Sequence, residues 1–202
     1  MRKLFLFIVC FILFGVGIKA QRFPQAVLPG DYPDPSILRD GKDYYMTHSP
    51  FYYAPGFLIW HSTDLMRWEP VCRALPEYEG SAMAPDLLKY QGRYYIYYPT
   101  STGENYVIYA DDIRGPWSRP VKLDVRGIDP GHVVGEDGKR YLFTNNGWIT
   151  PLSDDGLKVT GKSRKVYDGW KYPANWVTEG KDMYLESPKL LYKDGYYYMM
   201  SA

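Results

Sequence analysis

The 202-residue chain has only two cysteines, Cys10 and Cys72, and the first falls inside an apolar leader. A single cysteine in the remainder excludes a framework of intrachain disulfides, so packing must hold the fold together. Cys72 follows "RWEPV" in a strand-like stretch with no histidine beside it, and reads as a buried apolar side chain rather than a nucleophile. An excess of charge of one sign is also missing. Lysine plus arginine number 24 against 23 aspartates plus glutamates, which leaves no basic field for nucleic acid or for an anionic membrane. Helical spacing of apolar residues is nowhere sustained, and beyond the leader no apolar run is long enough to span a bilayer.

The leader itself, "MRK" followed by "LFLFIVCFILFGVGI" and "KAQ", has the three regions of a secretory signal peptide covering residues 1–20. Its apolar run is short for a membrane anchor, and cleavage is expected after Ala20. Loss of Arg2, Lys3 and Lys19 would leave 21 basic against 23 acidic residues, a formal charge of −2. The expectation is a secreted or periplasmic protein, residues 21–202, with no membrane contact after signal cleavage.

Tyrosine is abundant, 21 residues, within an aromatic content of 17%. Such rings suit strands that pack on one side and meet water or ligand with the hydroxyl, which favours an all-β, sugar-binding protein. Four segments repeat one pattern: an acid near a proline, an apolar pair, a polar turn with glycine, and an aromatic run. They are "DPSILRDGKDYYMTHS" (34–49), "APDLLKYQGRYYIYYPTS" (84–101), "DPGHVVGEDGKRYLFTNN" (129–146) and "ESPKLLYKDGYYYMMSA" (186–202). Their prolines, Pro35, Pro85, Pro130 and Pro188, recur about every 45 to 58 residues, the period of propeller blades. Each segment reads as a hairpin turning at "RDGK", "YQGR", "EDGK" or "YKDG". "GFLIWHS" with "WEPVCRAL", and "NYVIYA" with "WSRPVKL", add two outer strands to a unit. Trp68 and Trp117, each after a turn, are read as packing residues.

In a propeller the innermost strands all start at one end of the central channel, so Asp34, Asp86, Asp129 and Glu186 should converge on one mouth. Any one acid beside a proline is an ordinary turn residue. Four at corresponding places point to a shared site, because gathered like charges raise the free energy unless function or a cation holds them. Two carboxylates flanking a sugar bond suffice for glycoside hydrolysis.

The spaced motifs "PDPS", "APDL" and "ESPKL" resemble those of glycoside hydrolase family 43, five-bladed propeller enzymes acting on xylose- and arabinose-containing plant polysaccharides. The resemblance covers the whole mature chain. It implies an inverting mechanism with Asp34 as the general base, Glu186 as the general acid, and Asp86 as the carboxylate that tunes and orients the acid. Pro33 and Pro35 would hold Asp34 stiffly. His48, Phe51, Asp129, Asn146 and Trp148 are the expected substrate-binding residues, delivered mostly by the returning strands, with Thr100 at the same end. His132 and His61 are read as structural.

No cofactor is required by this chemistry. The resemblance does imply a structural divalent cation, calcium, held by residues beyond this chain, because the sequence stops partway through a fourth blade of five. The expected partner is an oligo- or polysaccharide. Met83, where many family members have Trp, and Ser187, where many have Gly or Ala, alter the pocket wall and leave the sugar open. The alternative is a non-catalytic carbohydrate-binding propeller. A fructan-acting relative would carry "NDPNG" and "ECP", and neither occurs.

Overall fold

The computed structural model describes residues 26–78, 80–169, 173–176 and 185–201. The expected signal peptide lies outside them. Among the described residues there is no α-helix, only one 3-10 turn at Asn145–Gly147, and no helix long and apolar enough to cross a membrane.

Three antiparallel four-stranded meanders and one hairpin follow one another along the chain. The first sheet contains β1 (Ser36–Asp40), β2 (Asp43–Thr47), β3 (Gly56–Ser62) and β4 (Glu69–Leu75). The second contains β5 (Asp86–Tyr90), β6 (Arg93–Pro99), β7 (Asn105–Ala110) and β8 (Val121–Leu123). The third contains β9 (Gly131–Val134), β10 (Arg140–Thr144), β11 (Trp148–Pro151) and β12 (Arg164–Lys165), and the hairpin pairs β13 (Lys189–Lys193) with β14 (Tyr196–Met200). The strand order in each sheet is the order in sequence, so neighbours are joined by short local connections.

The turns are where the sequence places them. Gln91-Gly92 and Asp194-Gly195 both carry positive φ at each central residue, the geometry that matches the twist of a two-residue hairpin. The first strand of every unit begins at the residue after its proline: Ser36, Asp86, Gly131 and Lys189.

Period-two alternation on β6, "RYYIYYP", explains much of the tyrosine. Tyr94, Ile96 and Tyr98 enter a core shared with Tyr45, Phe57 and Ile59 of the first sheet. Tyr95 and Tyr97 enter a second core with Leu142 and Leu152 of the third. The second sheet is thus covered on both faces, which is how blades pack in a propeller. Trp117 packs against the first core and donates its indole N–H to the Ile113 carbonyl at 3.2 Å. Trp68 makes the corresponding bond to Leu65, also 3.2 Å, but is not part of either core. Cys72 is half-buried against the first core, its thiol 3.3 Å from the Ile113 carbonyl, and burial pushes that thiol up.

Polar bonds tie the sheets at the starts of their first strands. The Ser36 hydroxyl accepts the Leu87 N–H at 2.9 Å, and the Asp86 carboxylate accepts the His132 N–H at 2.8 Å. Each is the first residue of an inner strand holding the second residue of the next. Gly131, in the same place, has no side chain to offer, because a Cβ there would lie 1.8 Å from the Pro188 carbonyl oxygen.

Behind this layer Arg140 is buried, with no carboxylate in ion-pair contact among the described residues. Its guanidinium lies 4.4 Å from the ring centres of both Tyr90 and Tyr95, and donates to His132 Nε2 and the Tyr97 hydroxyl at 3.0 Å each and to the Asp154 carbonyl at 3.2 Å. Two π faces and three acceptors replace the water the cation has lost.

Candidate active site

The four motif acids do stand at the same ends of the inner strands, but not at equivalent positions. Asp34 and Asp129 immediately precede their prolines, Asp86 follows its proline, and Glu186 sits two residues before Pro188. The residues before the prolines, Asp34, Ala84, Asp129 and Ser187, all have φ between 39° and 58°. This left-handed backbone is disfavoured for residues with a Cβ. Recurrence in all four units makes it a property of the repeat, and it sets the direction in which the Asp34 and Asp129 side chains leave the chain.

Asp34 is exposed, and the Ser49 hydroxyl donates to its Oδ2 at 2.5 Å. The Ser49 oxygen in turn accepts the Ala84 N–H at 2.6 Å, and the Ser49 N–H donates to the Pro33 carbonyl at 2.9 Å. One serine thus locks the first acid to both its own unit and the next. Glu186 is also exposed. Its carbonyl accepts the Ser201 hydroxyl at 2.6 Å, and the Leu185 carbonyl beside it accepts the Asn146 N–H at 2.8 Å.

Asp129 and Asp86 are the buried pair. Burial pushes the Asp129 carboxyl above the usual carboxylate range, the Ser187 N–H at 3.2 Å opposes this, and the charges of Glu186 and Asp34 push it further up. Asp129 therefore lies in the field of both exposed acids. Asp86 has a different company. Lys189 Nζ lies 2.9 Å from its Oδ1, and the His132 N–H occupies Oδ2.

Of the expected binding residues, His48 is buried at the end of β2, its Nδ1 3.2 Å from the Ser49 carbonyl, its ring 4.9 Å edge-on to Tyr32. Burial pushes the ring below the usual histidine range, partly opposed by the Ser49 bond. Phe51 bonds through its N–H to the Ala82 carbonyl at 3.0 Å and lines, with Tyr32, His48, Ser49 and Tyr53, a cleft of about 380 Å³ beside the first motif. That volume is in the range of small-ligand sites. Asn146 is exposed with φ 58° and supports Leu185 through its backbone. Trp148 is half-buried with Arg126 over its ring at 4.0 Å. Thr100 is buried and held to the Glu104 carbonyl, so it braces a loop. His61 pairs with Asp43 at 2.6 Å within the first sheet, a structural contact.

Ser49, Lys189 and Asn145 were not singled out by the motifs. Asn145 Oδ1 accepts the Ile128 N–H at 3.0 Å and so holds the segment carrying Asp129. Among the described residues no cluster of His, Cys, Asp or Glu is arranged to hold a metal ion. His132, the histidine on an inner strand, uses Nε2 to accept from Arg140, so these residues do not supply a donor set for a channel cation.

The model of a family described as "Glycosyl hydrolases family 43" matches residues 23–202. A "Xylosidase/arabinosidase" of Butyrivibrio fibrisolvens is 33% identical over 87% of this chain, and a "Beta-xylosidase" of Bacillus subtilis 31% identical over 90%. The crystal structure of a GH43 protein, BlXynB, from Bacillus licheniformis superposes with a TM-score of 0.74 at 32% identity over 89% of this chain. In each case the chain spans 38% of the length of the protein it matches.

Proposed function

The chain belongs to glycosyl hydrolases family 43, and from that premise we propose that the whole protein hydrolyses xylosidic or arabinofuranosidic bonds in plant-derived oligo- or polysaccharides. The proposed fold is a five-bladed propeller to which the three sheets and the hairpin contribute, and the proposed destination, given the leader at residues 1–20, is outside the cytoplasm. The reaction is single displacement with inversion. Asp34 takes a proton from water as that water attacks the anomeric carbon, and Glu186 gives its proton to the departing glycosidic oxygen. Both acids are the exposed ones, and each is anchored through backbone or hydroxyl bonds that leave carboxylate oxygens available to a substrate.

The geometry favours a different third carboxylate from the one the motifs suggest. Asp86 is in direct ion-pair contact with Lys189 at 2.9 Å, whereas Asp129 is buried in the field of Glu186 and Asp34, with Lys189 opposing them only as the weakest influence. The Asp129 carboxyl, raised by burial and by the charges of Glu186 and Asp34, is thus the buried carboxyl in electrostatic contact with the acid. Asp129, rather than Asp86, is the carboxylate we assign to tuning and orienting the acid. The observation that carries the reading is that Asp34, Asp129 and Glu186 stand at the same ends of the inner strands, with Asp129 bonded to the Ser187 N–H next to Glu186.

The test is turnover of xylo- and arabino-oligosaccharides, with nitrophenyl xyloside and nitrophenyl arabinofuranoside alongside, by the whole protein and by Asp34→Asn and Glu186→Gln. Losses of about 10³-fold in kcat/KM with natural oligosaccharides are expected, since a general acid or base alone contributes about 10² to 10⁴. Near-normal turnover by both variants would overturn the reading, and oligosaccharide binding with no turnover by the wild type would favour a carbohydrate-binding propeller.

A further inference from the structure

We propose that Lys189 is a positioning residue for Glu186: through its bonds to Asp86 and to the Pro130 carbonyl it clamps the segment carrying the acid across the channel. The inference rests on the functional reading above and goes beyond it, since neither the motifs nor the mechanism assigns Lys189 a role.

The first two junctions between inner strands are closed by a side chain at the strand's first position, Ser36 onto Leu87 N–H and Asp86 onto His132 N–H. At the third junction that device is missing, because Gly131 occupies the position and the Pro188 carbonyl fills the space a Cβ would take. The bonding therefore runs the other way. Lys189, first residue of β13, reaches back with Nζ to the Pro130 carbonyl at 2.8 Å and over the third sheet to Asp86 Oδ1 at 2.9 Å. Residues 103 apart in sequence are joined, and three units are linked through one ammonium and one carboxylate.

Glu186 is three residues upstream on the same segment. Three other contacts hold that segment to the third sheet: Ser187 N–H on Asp129, Pro188 against Gly131, and the Leu185 carbonyl on Asn146 N–H. They are backbone contacts that fix its height above the sheet. The Lys189 bond is the one that reaches to the second unit, joining a partly exposed ammonium to a buried carboxylate that is left without its counter-charge when the lysine is removed. An ammonium held by Asp86 also offsets part of the negative charge near the acid: among the described residues Asp34, Asp86 and Asp129 are carboxylates of this end of the sheets, Lys189 opposes their charge, His132 behind it is neutral and Arg140 is cationic.

The experiment uses the whole protein and compares wild type, Lys189→Met, Lys189→Arg, Asp86→Asn and the double variant Asp86→Asn/Lys189→Met. Each is assayed on the pentoside that the wild type turns over, once with a sugar leaving group and once with dinitrophenolate, which departs without protonation. Lys189→Met is expected to lower kcat about 10- to 100-fold with the sugar leaving group and less than about 3-fold with dinitrophenolate, with KM little changed, because only the protonated departure depends on where the acid stands. Lys189→Arg should recover most of the loss.

The basic limb of the pH–rate profile supplies a readout that mere loss of packing would not give. Lys189→Met leaves an extra unanswered carboxylate near the acid and should move that limb to higher pH; Asp86→Asn leaves an unanswered ammonium and should move it to lower pH; the double variant should return it toward the wild-type position. Equal losses with both leaving groups, or limbs that move together, would overturn the proposal and leave Lys189 as a packing residue. Full activity of Glu186→Gln in the same assays would instead overturn the functional reading, which the two leaving groups distinguish from a failure of the clamp.

Discussion

At the scale of single residues, environment separates four carboxylates into two kinds. Asp34 and Glu186 face outward with oxygens free to meet a substrate, while Asp129 and Asp86 are buried and differ in what answers their charge. The consequence for Asp129 can be measured. Asp129→Asn removes a carboxylate that interacts with Glu186, so the basic limb of the pH–rate profile should move to lower pH and kcat should fall about 10-fold or more. An unmoved limb would return Asp129 to the role of a substrate-binding or structural residue. His132 gives a stability prediction of definite sign. Burial, with the Arg140 charge, pushes His132 from its ordinary 6.5 down to about 4, and Asp86 opposes only in part. The folded protein binds that proton less readily than the unfolded chain. Stability is therefore fully present above about pH 6.5 and is lost as pH falls toward 4. Denaturant midpoints of wild type and His132→Gln, compared across that window, should converge as pH drops. Parallel curves would show that His132 does not contribute to the acid limb.

At the scale of elements, the turns and hairpins were legible because glycine and its neighbours mark them directly. The proline-led repeat located all four inner hairpins, and in the structure each inner strand begins at the residue after the repeat's proline. Less legible was which face each acid would meet. The motifs aligned Asp34, Asp86, Asp129 and Glu186 as if equivalent, but a shift of one residue in a strand turns a side chain to the other face, and the acids in fact fall on three different positions around their prolines. Ser49 and Lys189 escaped notice because a serine after a strand and a lysine on a strand are common, and only their distances to Asp34 and Asp86 give them meaning. Gly131 shows the same dependence on the third dimension. Its place in "DPGHVV" looks like an ordinary glycine, yet a methyl there would meet the Pro188 carbonyl. Gly131→Ala should therefore displace the segment that carries Glu186 and cost about 10-fold or more in kcat while leaving the first two sheets folded. Activity within about 2-fold of wild type would mean that this segment shifts without moving the acid.

At the scale of the whole molecule, the mouth depends on sheets that share side chains rather than on any one strand. β6 sends Ile96 into the core against the first sheet and Tyr97 into the core against the third, and both are fully buried. Leu142, fully buried on β10, belongs to the second of these cores. If the sheets melt as one body, weakening either core should lower the same transition. Ile96→Ala and Leu142→Ala should each cost about 2–5 kcal/mol, the usual range for emptying a packed aliphatic site. Because the two sites lie on opposite faces of the second sheet without a shared partner, the costs should add to within about 0.5 kcal/mol in the double variant. Equilibrium unfolding of the whole protein in urea, followed by tryptophan fluorescence and far-ultraviolet circular dichroism, is the measurement. A single coincident transition that moves with either substitution would establish that the acids are held by a cooperative stack. Two transitions, of which Leu142→Ala moves only one, would show that the third sheet opens by itself, and Asp129 would then leave the field of Asp34 without the first two sheets unfolding.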